Sequence, residues 1–132
     1  TEIEAAIAAL RATYGRRIVA VFQPHRYTRT HALGDRFATA FRGASDLVLL
    51  PIYPAGEAPI PGVTAESLAE RIRGGSGVVV EYAADYGEAA RVARDKIRDG
   101  DLFLTIGAGD VYRVGEIILA EGEQAPAAAG HA

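Results

Sequence analysis

Ile18-Val19-Ala20-Val21-Phe22, running straight into Gln23-Pro24-His25-Arg26-Tyr27-Thr28-Arg29-Thr30, is the stretch that decides the fold. Five consecutive apolar residues do not alternate, as a strand with one wet face would. They read as a strand covered on both faces, the condition of a parallel sheet between helices. Proline lacks a backbone donor and fixes its φ, so the strand stops at Gln23-Pro24.

Working outward, Ile3, Ile7, Leu10 and Tyr14 fall at three- and four-residue steps, an amphipathic helix that Thr1 caps and Gly15 ends. On the other side Leu33, Phe37, Ala40 and Phe41 form a second helical stripe closed by Gly43, followed by the strand Leu47-Val48-Leu49-Leu50. Residues Pro51 to Gly62 hold four prolines and two glycines, which oppose helix and strand alike and predict a loop. Thr64 then caps a helix carrying Ala65, Leu68, Ala69 and Ile72, and Gly74-Gly75-Ser76-Gly77 turns the chain into Val78-Val79-Val80. The unit repeats with Ala89, Val92, Ala93 and Ile97, a stop at Asp99-Gly100, and the strand Leu102-Phe103-Leu104-Thr105-Ile106. A last helix carries Val111, Val114 and Ile118, and the alanine-rich tail from residue 121 to 132 is expected to be disordered. Strands alternating with helices, without a hairpin dipeptide, predict right-handed crossovers and an α/β fold of three layers around a mainly parallel sheet.

At 132 residues and 49% hydrophobic content the chain fits one compact domain. Its start at Thr1, without methionine and directly before a helix, is expected of a fragment. A net charge of -3 offers no broad cationic field, so nucleic acid is not an expected partner. Without cysteine there is no disulfide, thiolate metal site or cysteine nucleophile. No apolar run approaches the roughly 20 residues that cross a bilayer. No membrane partner and a cytoplasmic location are therefore expected.

Ligands of such sheets bind at the carboxyl ends of the strands. Four segments lie there: residues 23–30, 53–62, 82–87 and 107–110. The first is the most unusual, because two arginines and a histidine follow a buried strand. Each guanidinium can hold a carboxylate or phosphate by two charge-assisted hydrogen bonds, and Thr28 and Thr30 can cap the next helix, whose amides also favour anions. A solvated basic turn fits the same residues, and the two readings stand level. His25 lacks a serine or cysteine partner and is read as a binding or orienting group. In Tyr53-Pro54-Ala55-Gly56-Glu57, the acid suits a substrate ammonium, a nearby arginine or the loop's own amides. Gly107-Ala108-Gly109-Asp110 opens the last helix with residues small enough for close ligand approach, although Asp110 also reads as an ordinary N-cap. No G-x-x-x-x-G-K-[ST] phosphate loop occurs and the only lysine, Lys96, falls in a helix, so the chain is not expected to hydrolyse ATP alone. His25, His31 and His131 lack ligand partners at metal-binding spacing, and no metal site is expected.

The phrase Val21-Phe22-Gln23-Pro24-His25-Arg26-Tyr27-Thr28-Arg29-Thr30 closely resembles the signature of the UDP-N-acetylmuramate:L-alanine ligases of the Mur ligase family. Tyr53 to Glu57 and Gly107 to Asp110 match the same family in order and spacing. The resemblance covers residues 1–120 and implies the family's third, C-terminal domain, a Rossmann-like αβα unit that closes over a central domain. It implies peptidoglycan biosynthesis, in which ATP with Mg phosphorylates the carboxyl of UDP-N-acetylmuramate and L-alanine attacks. It further implies that other domains hold ATP, Mg and the UDP sugar, that His25, Arg26 and Arg29 take the L-alanine carboxylate, and that this domain alone is inactive. The peptide-attaching recycling ligase resembles the fold but differs across residues 25–30. Two other classes remain: a stand-alone α/β phosphate- or nucleotide-binding module, and a purely structural interaction domain.

Overall fold

A computed structural model describes residues 2–107 and 109–124, with side chains as far as residue 121. Thr1 and Ala108, which carry two of the expectations above, and the tail from residue 125 lie outside the described residues. The elements are α1 (Glu2–Tyr14), β1 (Ile18–Gln23), α2 (Tyr27–Ala40), β2 (Asp46–Leu49), α3 (Ala65–Ser76), β3 (Val79–Tyr82), α4 (Tyr86–Lys96), β4 (Leu102–Gly107) and α5 (Arg113–Gln124). All four strands are parallel, in the order β3-β2-β1-β4.

Successive strand side chains point to opposite faces, and the apolar runs divide accordingly. Ile18, Ala20, Phe22, Leu47, Leu49 and Val80 pack with Ile7, Phe37, Leu68 and Ile72 from α1, α2 and α3, and with Phe41 just after α2. Val19, Val21, Val48 and Leu50 meet Ala89, Ala90 and Ala93 of α4, together with Val111 and Val114. Helices thus cover both faces, which gives the expected Rossmann-like three-layer αβα architecture. Every residue of β1 and β2 is buried, whereas β4 and β3 are the sheet's edges and are less covered.

Several boundaries differ from the sequence reading, among them β2, which spans Asp46–Leu49 and not Leu47–Leu50. Gly74 and Gly75 do not turn the chain but belong to α3, which ends at Gly77 in a left-handed cap (φ 70°). Gly75 has a packing reason to be glycine: a Cβ there would lie 2.6 Å from the Ala38 carbonyl oxygen of α2. The shift carries β3 to Val79–Tyr82, beyond the expected Val78–Val80. Residues 109–112 form turns before α5, so neither Val111 nor Asp110 stands where a helix running from Asp110 would put it. Thr64 behaves as read: its hydroxyl accepts from the Ser67 amide at 3.0 Å, and the Ser67 hydroxyl accepts from the Thr64 amide at 3.2 Å.

Chain order runs β1, β2, β3 in one direction and returns to place β4 on the other side of β1. The reversal lies between β1 and β4, and the crevice at their carboxyl ends is where ligands of open α/β sheets bind. Gln23 and Gly107 are partners in register at that point.

Candidate functional site

The buried end of β1 is a polar hub. Gln23 donates from Nε2 to the Pro51 carbonyl at 3.2 Å and accepts from the Tyr86 hydroxyl at 2.8 Å, so both halves of its amide are satisfied. Its own carbonyl lies where a Cβ on Gly107 would stand, 2.6 Å away, and Gly107 has φ 137°. The small residue at the end of β4 therefore admits backbone, not a ligand, on that side.

Beyond Gln23 the chain stays tied to the loop after β2. The Tyr53 amide donates to the Pro24 carbonyl at 2.8 Å, and the Arg26 amide donates to the Tyr53 carbonyl at 2.7 Å. The His25 and Tyr53 rings stack over this bridge, with centroids 5.5 Å apart and planes 11° from parallel. This fixes the imidazole of His25, which is half-buried.

Arg26 immediately precedes α2 and has φ 68°, ψ 142°, a conformation that side-chain-bearing residues rarely adopt. It is held there from both ends, since its carbonyl accepts the Thr30 amide at 3.1 Å and the Thr30 hydroxyl at 2.7 Å. Neither threonine caps α2 as the sequence reading expected. Thr30 sits inside the first turn bonded to Arg26, and Thr28 turns outward to Glu57. The Glu57 carboxylate accepts from the Thr28 amide at 3.1 Å and from its hydroxyl at 2.6 Å. These two bonds, with the nearby Arg26 charge, hold the Glu57 carboxyl below the usual carboxylate range. Glu57 takes a role that the sequence reading did not include: beside the Arg26 charge, it caps a helix that begins 30 residues earlier.

His25, Arg26, Thr28 and Arg29 line an open depression of about 510 Å³. Among the described residues no carboxylate forms an ion pair with either guanidinium. Two exposed cations and an imidazole therefore converge on space suited to a small anion. Asp110 is not among them. Its carbonyl accepts the Arg113 amide at 2.8 Å and its carboxylate lies 3.9 Å from the Arg113 guanidinium, so it orders the turn before α5 without capping it.

Tyr86 was not singled out by the sequence, although its segment was. Burial raises its pKa, and the Asp110 charge raises it further, so its hydroxyl keeps its proton and serves as the donor to Gln23. Nothing local marks this role, because donor and acceptor are 63 positions apart.

The family model described as "Mur ligase, glutamate ligase domain" matches residues 1–109. The chain belongs to the Mur ligase family. This Mur ligase domain is 54% identical over 115 residues to a UDP-N-acetylmuramate--L-alanine ligase of Symbiobacterium thermophilum, covering 86% of this chain and 24% of that protein. It is 53% identical over 121 residues to the protein of the same name from Anaeromyxobacter dehalogenans, covering 90% and 26%. The chain thus spans about a quarter of the length of the curated relatives it matches. A solved domain of a Haemophilus ducreyi protein described as a UDP-N-acetylmuramate:L-alanyl-gamma-D-glutamyl-diaminopimelate ligase superposes with a TM-score of 0.64 at 22% identity, over 91% of this chain and 80% of that one. That likeness shows the Mur ligase fold. Among the described residues of the domain, no helix is long and apolar enough to cross a membrane.

Proposed function

We propose that this chain is the amino-acid-binding domain of a ligase that joins L-alanine to UDP-N-acetylmuramate in peptidoglycan biosynthesis. The observation that carries the reading is the depression at the end of β1, where Arg26 and Arg29 form no ion pair among the described residues and stand beside the fixed ring of His25. A free amino acid brings a carboxylate, which a guanidinium holds through two parallel hydrogen bonds. Fixing that end leaves the amine to be presented to an activated carboxyl, so the domain's contribution is positioning, with no catalytic base of its own.

The family resemblance implies ATP and magnesium for this reaction, and the described residues do not fit them. The sequence has no phosphate loop, and its only lysine is engaged at the far end of the sheet with Glu81 and Asp46. No group of three histidine, aspartate or glutamate side chains among the described residues is arranged to hold a metal ion. We assign ATP, magnesium and the UDP sugar to other domains, and the reaction to the cytoplasm. By itself the chain is expected to be inactive.

Amide NMR during titration with L-alanine tests the site, with shifts expected at Arg26, Arg29 and around Gly107. In the full-length ligase, Arg26→Ala with Arg29→Ala should lower kcat/KM for L-alanine by roughly 100-fold or more, two charge-assisted contacts being lost. Unchanged L-alanine kinetics in that double variant would sink the assignment. Shifts with inorganic phosphate but none with L-alanine would favour a phosphate-binding module instead.

A further inference from the structure

We propose that Glu57 is the positioning residue of the amino-acid site: it fills the anion place at the start of α2 from within the chain and locks Arg26 beside the crevice. The substrate carboxylate is then left to Arg26, Arg29 and His25. This inference rests on the function proposed above.

The start of α2 would otherwise be open. Arg26 offers no side-chain acceptor as N-cap, and the first turn contains no acid of its own. A helix start with bare amides attracts carboxylates. Glu57 supplies one, with Oε1 on the Thr28 amide and Oε2 on the Thr28 hydroxyl. An incoming amino acid therefore meets this place already taken and has the guanidinium groups as its remaining strong donors.

The same loop grips the basic segment twice. Tyr53 holds the Arg26 amide through its carbonyl, and Glu57 holds Thr28 two residues further on. Between these grips the loop turns tightly, the Glu57 amide donating to the Pro54 carbonyl at 3.0 Å, with Ala55 and Gly56 at φ 49° and 86°. Arg26 is the first of the two attachment points, two residues before the second, and its backbone is strained at φ 68°. Such strain persists only where the surroundings over-determine it. The Tyr53 bridge and the Thr30 bonds fix the two ends of Arg26, and the Glu57–Thr28 clamp keeps loop and helix together so that both remain in place.

The test is steady-state kinetics of the full-length ligase carrying Glu57→Gln, Thr28→Val, Thr28→Ser and the Glu57→Gln/Thr28→Val pair, with thermal melts of each. Glu57→Gln should raise KM for L-alanine roughly tenfold while kcat at saturation changes by less than about twofold, because it loosens where the substrate is held and leaves chemistry to other domains. Thr28→Val should do the same, Thr28→Ser should behave as wild type, and the pair should be no worse than either single change. Amide NMR of the 132-residue chain should show Glu57→Gln moving the Arg26 and Thr28 resonances. A lower melting temperature with an unchanged KM for L-alanine would make Glu57 a structural cap only and overturn the proposal. If Glu57→Gln leaves KM unchanged while the Arg26/Arg29 double variant raises it, the Glu57 inference fails and the site stands. If the double variant also leaves KM unchanged, the site fails and takes this inference with it.

Discussion

At the amino end of the sheet Arg17 donates to Asp46 at 2.9 Å and to Asp101 at 2.8 Å, while Lys96 pairs with Glu81 at 2.9 Å and approaches Asp46 at 3.6 Å. At the carboxyl end Arg26 and Arg29 face a depression, and Glu57, whose charge acts on Arg26, gives its oxygens to Thr28. Both ends draw on the same residue types, and their partners separate them. Charges that satisfy one another tie strands and helices together, and their desolvation is compensated on the spot. Cations gathered without carboxylates repel one another and persist only where rigid backbone holds them. A binding site is expected to have that arrangement, and it sits at the switch point of the strand order.

The largest effect that would break this contrast comes from Asp46, which is buried and serves two cations. Asp46→Ala should destabilise the chain by about 3 kcal/mol in urea unfolding, since it leaves Arg17 and Lys96 partly buried and short of a partner. L-alanine binding should survive at temperatures where the variant is folded. Loss of binding without loss of stability would mean the two ends are not independent.

A smaller effect sharpens the comparison from the other side. If the Arg26 backbone stores strain, Arg26→Gly should be more stable than Arg26→Ala by about 1 kcal/mol, because only glycine is at ease at φ 68°. Both variants should lose L-alanine binding equally. Equal stability of the two would remove strain from the account of this site.

Smallest of all, the ends should respond to opposite extremes of pH. Glu57, with its pKa lowered by the Thr28 bonds, stabilises the fold above the ordinary carboxylate range, and that contribution disappears as pH falls through its depressed folded value. Lys96, raised chiefly by its hydrogen bond to Glu81, stabilises below the ordinary lysine pKa, and that is lost as pH rises through its higher folded value. Melting temperatures of Glu57→Gln and Lys96→Gln against pH check this. Each variant should flatten one limb of the wild-type curve, the first the acid limb and the second the alkaline limb. Curves parallel to wild type would show that neither group is linked to folding.

Much of this molecule was legible because its signals are local. The unbroken run Ile18 to Phe22 gave away a strand covered on both faces, and helical spacing marked all five helices. Thr64 was legible as the cap of α3, and the structure adds the reciprocal bond from Ser67. His25, Arg26 and Arg29 stood out because three basic groups within five positions follow a buried strand. What could not be read were relations across distance. Gly75 looked like a turn until α2 packed against it, and Thr28 looked like a cap until Glu57 reached it from 29 positions away. Asp110 looked like the start of α5, yet the helix begins at Arg113.

The sequence by itself determined the order of the elements, the two-sided core and the presence of a basic cluster at a strand end. Hydrophobic period and proline or glycine punctuation act over a few residues and need no knowledge of neighbours. Only the tertiary structure decided that Glu57 closes α2, that Gln23 joins Tyr86 to Pro51, and that Arg26 and Arg29 form no ion pair among the described residues. Those outcomes depend on which segments the sheet order brings side by side, and parallel crossovers bring together residues tens of positions apart.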